Sequence, residues 1–301
     1  MEEDKSVGFG EINGTTEKKQ SSECVFTPAA PTDNPLIQPM LSSSYHQRFS
    51  GISRLYGKRS YAKLACAHFM VMGLGGVGSW SVEALARSGV GKLTLVDLDD
   101  ICITNSNRQI HAVVHTIGRQ KTDVLKERVL EINPEIECQV VSDFYTTTTS
   151  REILSLKPDV VIDAFDSLKS KAHLIATCLK QNIPLVVSGG AGGRVDPTSI
   201  RCSDLLQTTN DKMLRSLRVK LKKEYGVVLD RSQIGIPTVY STERPVYPTS
   251  SGEVSLEPEV KNFGLDCKGG LGASCFVTGT FGFVAASRAL DLYFQSFVKV
   301  Q

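Results

Sequence analysis

Four short motifs between residues 73 and 121 restrict the fold of this chain more than anything else in it. Gly73-Leu74-Gly75-Gly76-Val77-Gly78 comes first, then Asp97-Leu98-Asp99. Asn105-Ser106-Asn107-Arg108-Gln109 and Gly118-Arg119-Gln120-Lys121 follow. An apolar run, His68–Met72, precedes the glycines, and Val77–Arg87 reads as a helix stopped by Gly89. A strand, a glycine turn and a helix in that order carry phosphate close to backbone N–H groups at a helix N-terminus. Asp97 lies nineteen residues beyond Gly78, at the end of a second strand, Lys92–Asp97. An acid there accepts from ribose hydroxyls. To this point NAD and ATP are served equally well. Arg108 and Lys121 break the tie, because a triphosphate needs more neutralisation than a pyrophosphate bridge. Asn105, Asn107 and Gln109 supply amides for ribose, phosphate or metal-bound water.

The alternation continues. Arg48–Ala65 reads as a helical lead-in, Lys121–Ile132 and Leu168–Lys180 as helices, and Ile136–Val141, Asp159–Asp163 and Ile183–Val187 as strands. Buried strands alternating with amphipathic helices predict an α/β fold: a Rossmann-like, doubly wound, mostly parallel sheet with helices on both faces. A smaller irregular α+β part follows. It holds a Gly-rich turn at Ser188–Gly193, a basic helix at Lys212–Tyr225 and Pro-punctuated loops with one strand at most over Gly235–Leu265. One long helix over Ala273–Val298 closes it, weakened by Gly279 and Gly282. The expected division is a disordered tail at 1–45 and one domain at 46–301, with a nucleotide core at 46–193 and a C-terminal part at 194–301. Ligands of such sheets sit beyond the strand C-termini. The motifs at Gly73, Asp97 and Asp163–Asp166 all fall there.

Composition narrows the function classes. A net charge of +2 provides no global basic field, so any nucleic-acid binding has to be local. The eight cysteines form no Cys-x-x-Cys pair, which removes the usual zinc spacing and fits reduced thiols. No apolar run reaches the length of a membrane span. The first 45 residues have no apolar periodicity and no apolar signal core, and their acids and lack of Arg argue against a transit peptide. A cytoplasmic protein is expected.

Other candidates carry a plain structural reading beside a functional one. In Asp163-Ala164-Phe165-Asp166-Ser167 a carboxylate can hold Mg²⁺ against phosphates, and Asp166 is preferred to Asp163, which reads as structural. Cys267 beside Lys268 is a half-buried residue at a Gly turn before it is a nucleophile. His111 and His115 read as structural before they read as bases. Lys212, Arg215, Arg218 and Lys222, with Lys220 and Lys223, make a basic stripe suited to phosphate contacts or a merely solvated face.

The order Gly-rich loop, D-x-D, S-N-x-x-R-Q, G-x-x-K and D-x-x-D resembles the ubiquitin-activating-enzyme-like adenylating superfamily that includes ThiF and MoeB. Ser167 replaces its usual Asn, and Lys171 stands where Arg is frequent. Arg48–Gly57, Gly76-Val77-Gly78-Ser79-Trp80, Asn105–Ala112, Gly189–Gly193 and Thr280–Ala285 look like the tRNA threonylcarbamoyladenosine dehydratase family, over about residues 47–297. That resemblance implies a homodimer and ATP-dependent cyclisation of N6-threonylcarbamoyladenosine beside the anticodon of tRNA. It implies Asp97 on the ribose, Arg108 and Lys121 on the phosphates and Asp166 on Mg²⁺. A sulfur-transfer partner is allowed by it. An Arg that crosses the dimer in MoeB-like relatives has Gly51 near its place, with Arg48 and Arg54 as substitutes. An alternative stays open, an adenylating enzyme for the C-terminus of a ubiquitin-like or sulfur-carrier protein.

Overall fold

The computed structural model describes residues 41–229, 233–259 and 271–298. Helix α1 (Ser43–Tyr56) starts three residues before the expected start of the domain at residue 46. Ser42 caps it by accepting from the N–H of Tyr45, and Tyr45 is buried. The single lead-in helix predicted from sequence is two, because Gly57 breaks it at φ +84° before α2 (Lys58–Leu64).

Strand β1 (His68–Met72) is buried along its whole length and occupies the middle of the sheet. From it the chain runs through α3 (Gly78–Arg87) to β2 (Lys92–Val96), then through α4 (Lys121–Ile132) to β3 (Glu137–Val141) at one edge. It returns past α5 (Ser150–Leu154) to β4 (Val160–Asp163), which pairs with the other side of β1. Helix α6 (Leu168–Gln181) and β5 (Leu185–Ser188) continue outward. The order is β3-β2-β1-β4-β5-β7-β6, parallel except for the last pair. The direction of travel therefore reverses between β1 and β4, and a crevice opens beyond their carboxyl ends.

Period-two alternation sorts β1 between two apolar layers. Phe69 and Val71 face one, with Val82 and Leu85 of α3 and Leu125 and Val129 of α4. Met70 and Met72 face the other, with Leu174 and Ile175 of α6.

The region after residue 194 extends this same sheet. Strand β6 (Ile200–Asp204) is its antiparallel edge, and β7 (Pro237–Ser241) lies between β6 and β5. Sequence reading missed β6 and took the β7 segment for a loop with one strand at most. β7 begins on a proline, which is tolerated at the first residue of a strand. Helix α7 (Lys212–Tyr225) joins the α6 layer through Leu214, Leu217 and Leu221. Strands β8 (Tyr247–Pro248) and β9 (Val254–Ser255) form a small hairpin. Helix α8 (Cys275–Val298) is continuous, as expected, and packs into the α3 layer through Val277, Phe281, Ala285 and Ala289. Among the described residues no helix is long and apolar enough to cross a membrane.

Candidate nucleotide site

The crevice between β1 and β4 is floored by the glycine loop. Gly73 has φ +88°, and a Cβ there would lie 2.8 Å from the carbonyl oxygen of Ala164 at the end of β4. A Cβ on Gly78 would lie 1.8 Å from the carbonyl oxygen of Gly73. Both glycines are thus demanded by backbone closing on backbone. Gly75 is different: its nearest neighbour is Gln109 Nε2, 3.8 Å from where a Cβ would sit. Among the described residues the N–H groups of Gly75, Gly76 and Val77 take no partner. Open glycine and free N–H groups leading into α3 form a cradle for an anion.

The charged groups gather at its rim. Lys121, first residue of α4, is buried, with Nζ 2.7 Å from Asp99 Oδ2 and 3.7 Å from Asp97 Oδ1. Asp97 also accepts from the N–H of Leu74 at 2.6 Å and of Asp99 at 2.9 Å. It ties the glycine loop to the end of β2, which adds a structural duty to the expected ribose contact. Arg108 is half-buried, and a Cβ on Gly76 would lie 3.4 Å from its Cγ. Its guanidinium donates to the carbonyl of Thr104 and to Asn107 Oδ1.

The three amides divide. Asn105 is buried and turned inward, its Oδ1 accepting from the N–H of Cys102. It caps its own loop, and on that geometry it shapes the site without facing it. Asn107 donates to the carbonyl of Ala273 just before α8. Gln109 is buried, and among the described residues its Oε1 has no partner. An orphaned acceptor beside the open Gly75 suits a ligand donor.

At the end of β4, Asp163 is fully buried against Lys171, Oδ1 to Nζ 2.9 Å, and Lys171 also donates to the carbonyl of Ser188. Burial pushes the Asp163 carboxyl up, opposed by Lys171. Lys171 bolts the ends of β4 and β5 together, while the other carboxylate oxygen of Asp163, Oδ2, has no partner among the described residues. Asp166 is exposed on the following loop. Among the described residues no three His, Cys, Asp or Glu side chains gather as a metal cage. A Mg²⁺ ion needs none, since it rests largely on phosphate oxygens and water with one or two carboxylates. Asp166 fits that requirement.

His111 is buried, and among the described residues neither ring nitrogen is paired. Burial, then the nearby Lys121, lowers it to about 4. The imidazole is neutral near pH 7. His115 is exposed.

Comparison with known proteins decides among adenylating enzymes of this geometry. The ThiF family model matches residues 47–290. The chain belongs to the ThiF family. Within it, the tRNA threonylcarbamoyladenosine dehydratase of Escherichia coli (strain K12) is 47% identical over 254 residues, 83% of this chain and 95% of that protein. The dehydratase of Bacillus subtilis (strain 168) is 42% identical over 201 residues, 67% of this chain and 76% of that one. The crystal structure of the E. coli dehydratase in complex with ATP superposes with a TM-score of 0.79 at 43% identity, covering 87% of this chain and 100% of that chain. This ThiF-family chain therefore stands on the dehydratase branch.

Other expected residues of this ThiF-family chain lie on α7 and α1. On α7, Lys212, Arg215 and Lys222 are exposed, and Lys212 Nζ stands 4.7 Å over the Tyr247 ring. Arg218 departs from the expectation. Its Nη1 donates to the carbonyl of Leu205 at 3.0 Å and to Thr208 Oγ1 at 2.6 Å, so it anchors α7 to its own chain. Lys220 pairs with Glu224. Arg48 and Arg54 are exposed on α1. Cys267 lies outside the described residues. Sequence reading missed Trp80 and Thr278 beside Arg108. The Ser79-Trp80 ending of the glycine motif was the signal for the first.

Proposed function

We propose that this chain dehydrates N6-threonylcarbamoyladenosine in tRNA at the expense of ATP, closing the threonyl side chain into a ring. The observation that carries the reading is the crevice itself: an open glycine cradle with Arg108 and Lys121 at its rim. It lies in a chain that aligns over almost the whole length of a dehydratase solved with ATP.

The reaction needs a better leaving group than oxide. Attack of the threonyl carboxylate oxygen on the α-phosphorus of ATP expels pyrophosphate and gives a mixed anhydride. An amide nitrogen of the same side chain then attacks the activated carbonyl, AMP departs, and the nitrogen gives up its proton. The net change is loss of water from the base and cleavage of ATP to AMP and pyrophosphate. The residues supply charge neutralisation and positioning. The N–H groups of Gly75 and Gly76 bind phosphate oxygens. Arg108 and Lys121 take up the charge that develops there, Lys121 exchanging its contact with Asp99 for the ligand. Asp97 holds the loop and the ribose, and Gln109 Oε1 accepts from the ligand. Mg²⁺ at Asp166 would supply further neutralisation of the triphosphate.

The tRNA meets α7 through Lys212, Arg215 and Lys222. The protein acts as a homodimer in the cytoplasm; the exposed Phe276 and Phe283 of α8 offer apolar surface for pairing. The test is tRNA-dependent release of AMP and pyrophosphate. Threonylcarbamoylated tRNA should stimulate it and the same tRNA lacking that group should not. Equal release with both would sink the reading.

A further inference from the structure

The carbonyl oxygen of Arg108 is held from two helices. The indole N–H of Trp80, on α3, donates to it at 3.0 Å. The hydroxyl of Thr278, on α8, reaches it at 3.2 Å and shares its proton with the carbonyl of Ser274 at 3.1 Å. Trp80 is thus the dedicated donor and Thr278 the auxiliary one. The same side chains close around the stem of Arg108. A Cβ on Gly76 would meet Thr278 Cγ2 at 3.1 Å and Arg108 Cγ at 3.4 Å. The Trp80 ring lies on Gly279, 3.6 Å from where its Cβ would be, with Phe283 edge-on at 5.7 Å between centroids. Asn107, next to Arg108, donates to the carbonyl of Ala273 at the start of the same helix. By contrast, among the described residues the guanidinium of Arg108 bonds only within its own loop, to Thr104 and Asn107.

We propose that Trp80 and Thr278 are positioning residues for the reaction: they fix the backbone and stem of Arg108 against the glycine loop and so make α8 part of the ATP site. The inference rests on the reading of Arg108 as a phosphate-binding residue. The physical reason is entropic. A long, flexible cation aids the transferring phosphate only if it is already aimed when charge develops, and aiming requires a fixed Cα and a confined stem. Two donors on one carbonyl and a glycine face under the Cγ provide both.

The experiment compares kcat/KM for ATP, with threonylcarbamoylated tRNA as second substrate, in five proteins. These are wild type, Trp80→Phe, Thr278→Val, Arg108→Ala and the double variant Trp80→Phe/Arg108→Ala. Trp80→Phe keeps a ring on Gly279 and removes the N–H. It should lower kcat/KM for ATP roughly five- to tenfold, the scale of one lost hydrogen bond. KM for tRNA should stay unchanged, and Thr278→Val should show a smaller loss in the same sense. The double variant should be no worse than Arg108→Ala alone, because the two act as a unit. A double variant whose losses multiply would show that Trp80 only stabilises the fold, and would overturn the proposal. So would a Trp80→Phe protein with wild-type kcat/KM beside an impaired Arg108→Ala. If Arg108→Ala is itself unimpaired, the reading of Arg108 fails and this inference goes with it. Should Trp80→Phe not fold, Thr278→Val paired with Arg108→Ala makes the same comparison, with multiplying losses again as the contrary result.

Discussion

At the scale of single residues, the site holds buried polar groups that the fold alone leaves unpaid. Among the described residues Gln109 Oε1 and both nitrogens of His111 have no partner, although such groups are nearly always paired in folded proteins. His111 has a measurable consequence. Its ionisation falls from the usual 6.5 to about 4, first through burial and then through Lys121. The unfolded chain therefore binds a proton that the folded one refuses, and stability falls as pH drops from 6.5 towards 4. The expected loss from this group is roughly 2–3 kcal/mol. His111→Gln, which cannot be protonated, should flatten the pH dependence of urea unfolding over that window, and an unchanged slope would contradict the assignment. For the cations, Arg108→Ala and Lys121→Ala should each lower kcat/KM for ATP by about 10²- to 10³-fold, the range found when one charge-stabilising donor is removed. Lys121 was legible in the sequence as a cation near the phosphates. Its burial between Asp97 and Asp99 was not, because that depends on where β2 ends relative to α4. Asn105 shows the opposite difficulty. An amide in a polar loop reads as a ligand group, and only three-dimensional geometry reveals that it caps Cys102.

Among the elements, strands β1 to β5 and helices α3, α4 and α6 were readable because each carries a clean apolar period. The last two strands of the main sheet were harder: β6 went unread, and β7 falls in a segment read as loops with one strand at most. β6 alternates through Arg201 and Ser203 at an edge, and β7 is five residues beginning on proline. Gly279 and Gly282 look like flaws in the sequence of α8. In the structure they are the places where α3 comes closest. A Cβ on Gly282 would lie 2.6 Å from the carbonyl oxygen of Val77 and 2.7 Å from Trp80 Cβ, and Ser81 Oγ donates to the Gly282 carbonyl at 3.0 Å. Gly282→Ala should therefore destabilise the protein by about 1–3 kcal/mol, as overpacking does. The better helix propensity of alanine offsets only about 1 kcal/mol of that strain. A urea midpoint at or above wild type would show that the helices can part without cost.

For the molecule as a whole, the proposed function puts ATP at the switch point between β1 and β4 and tRNA on α7. Binding of tRNA should weaken with salt through phosphate contacts. Alanine at Lys212, Arg215 or Lys222 should each reduce the salt slope by somewhat under one unit, about 0.7 to 0.9. Alanine at Arg218, which holds Leu205 and Thr208, should lower thermal stability and leave the slope unchanged. A slope unaltered by all three exposed substitutions would move the tRNA surface elsewhere. The central claim is the ring closure, and nucleoside mass spectrometry reads it directly. Purified protein is incubated with threonylcarbamoylated tRNA, with and without ATP and Mg²⁺, and the tRNA is digested. The modified adenosine should lose the mass of one water only when ATP is present, with AMP formed in equal amount. An unchanged nucleoside from folded, ATP-binding protein would contradict it and point to activation of a carrier protein instead.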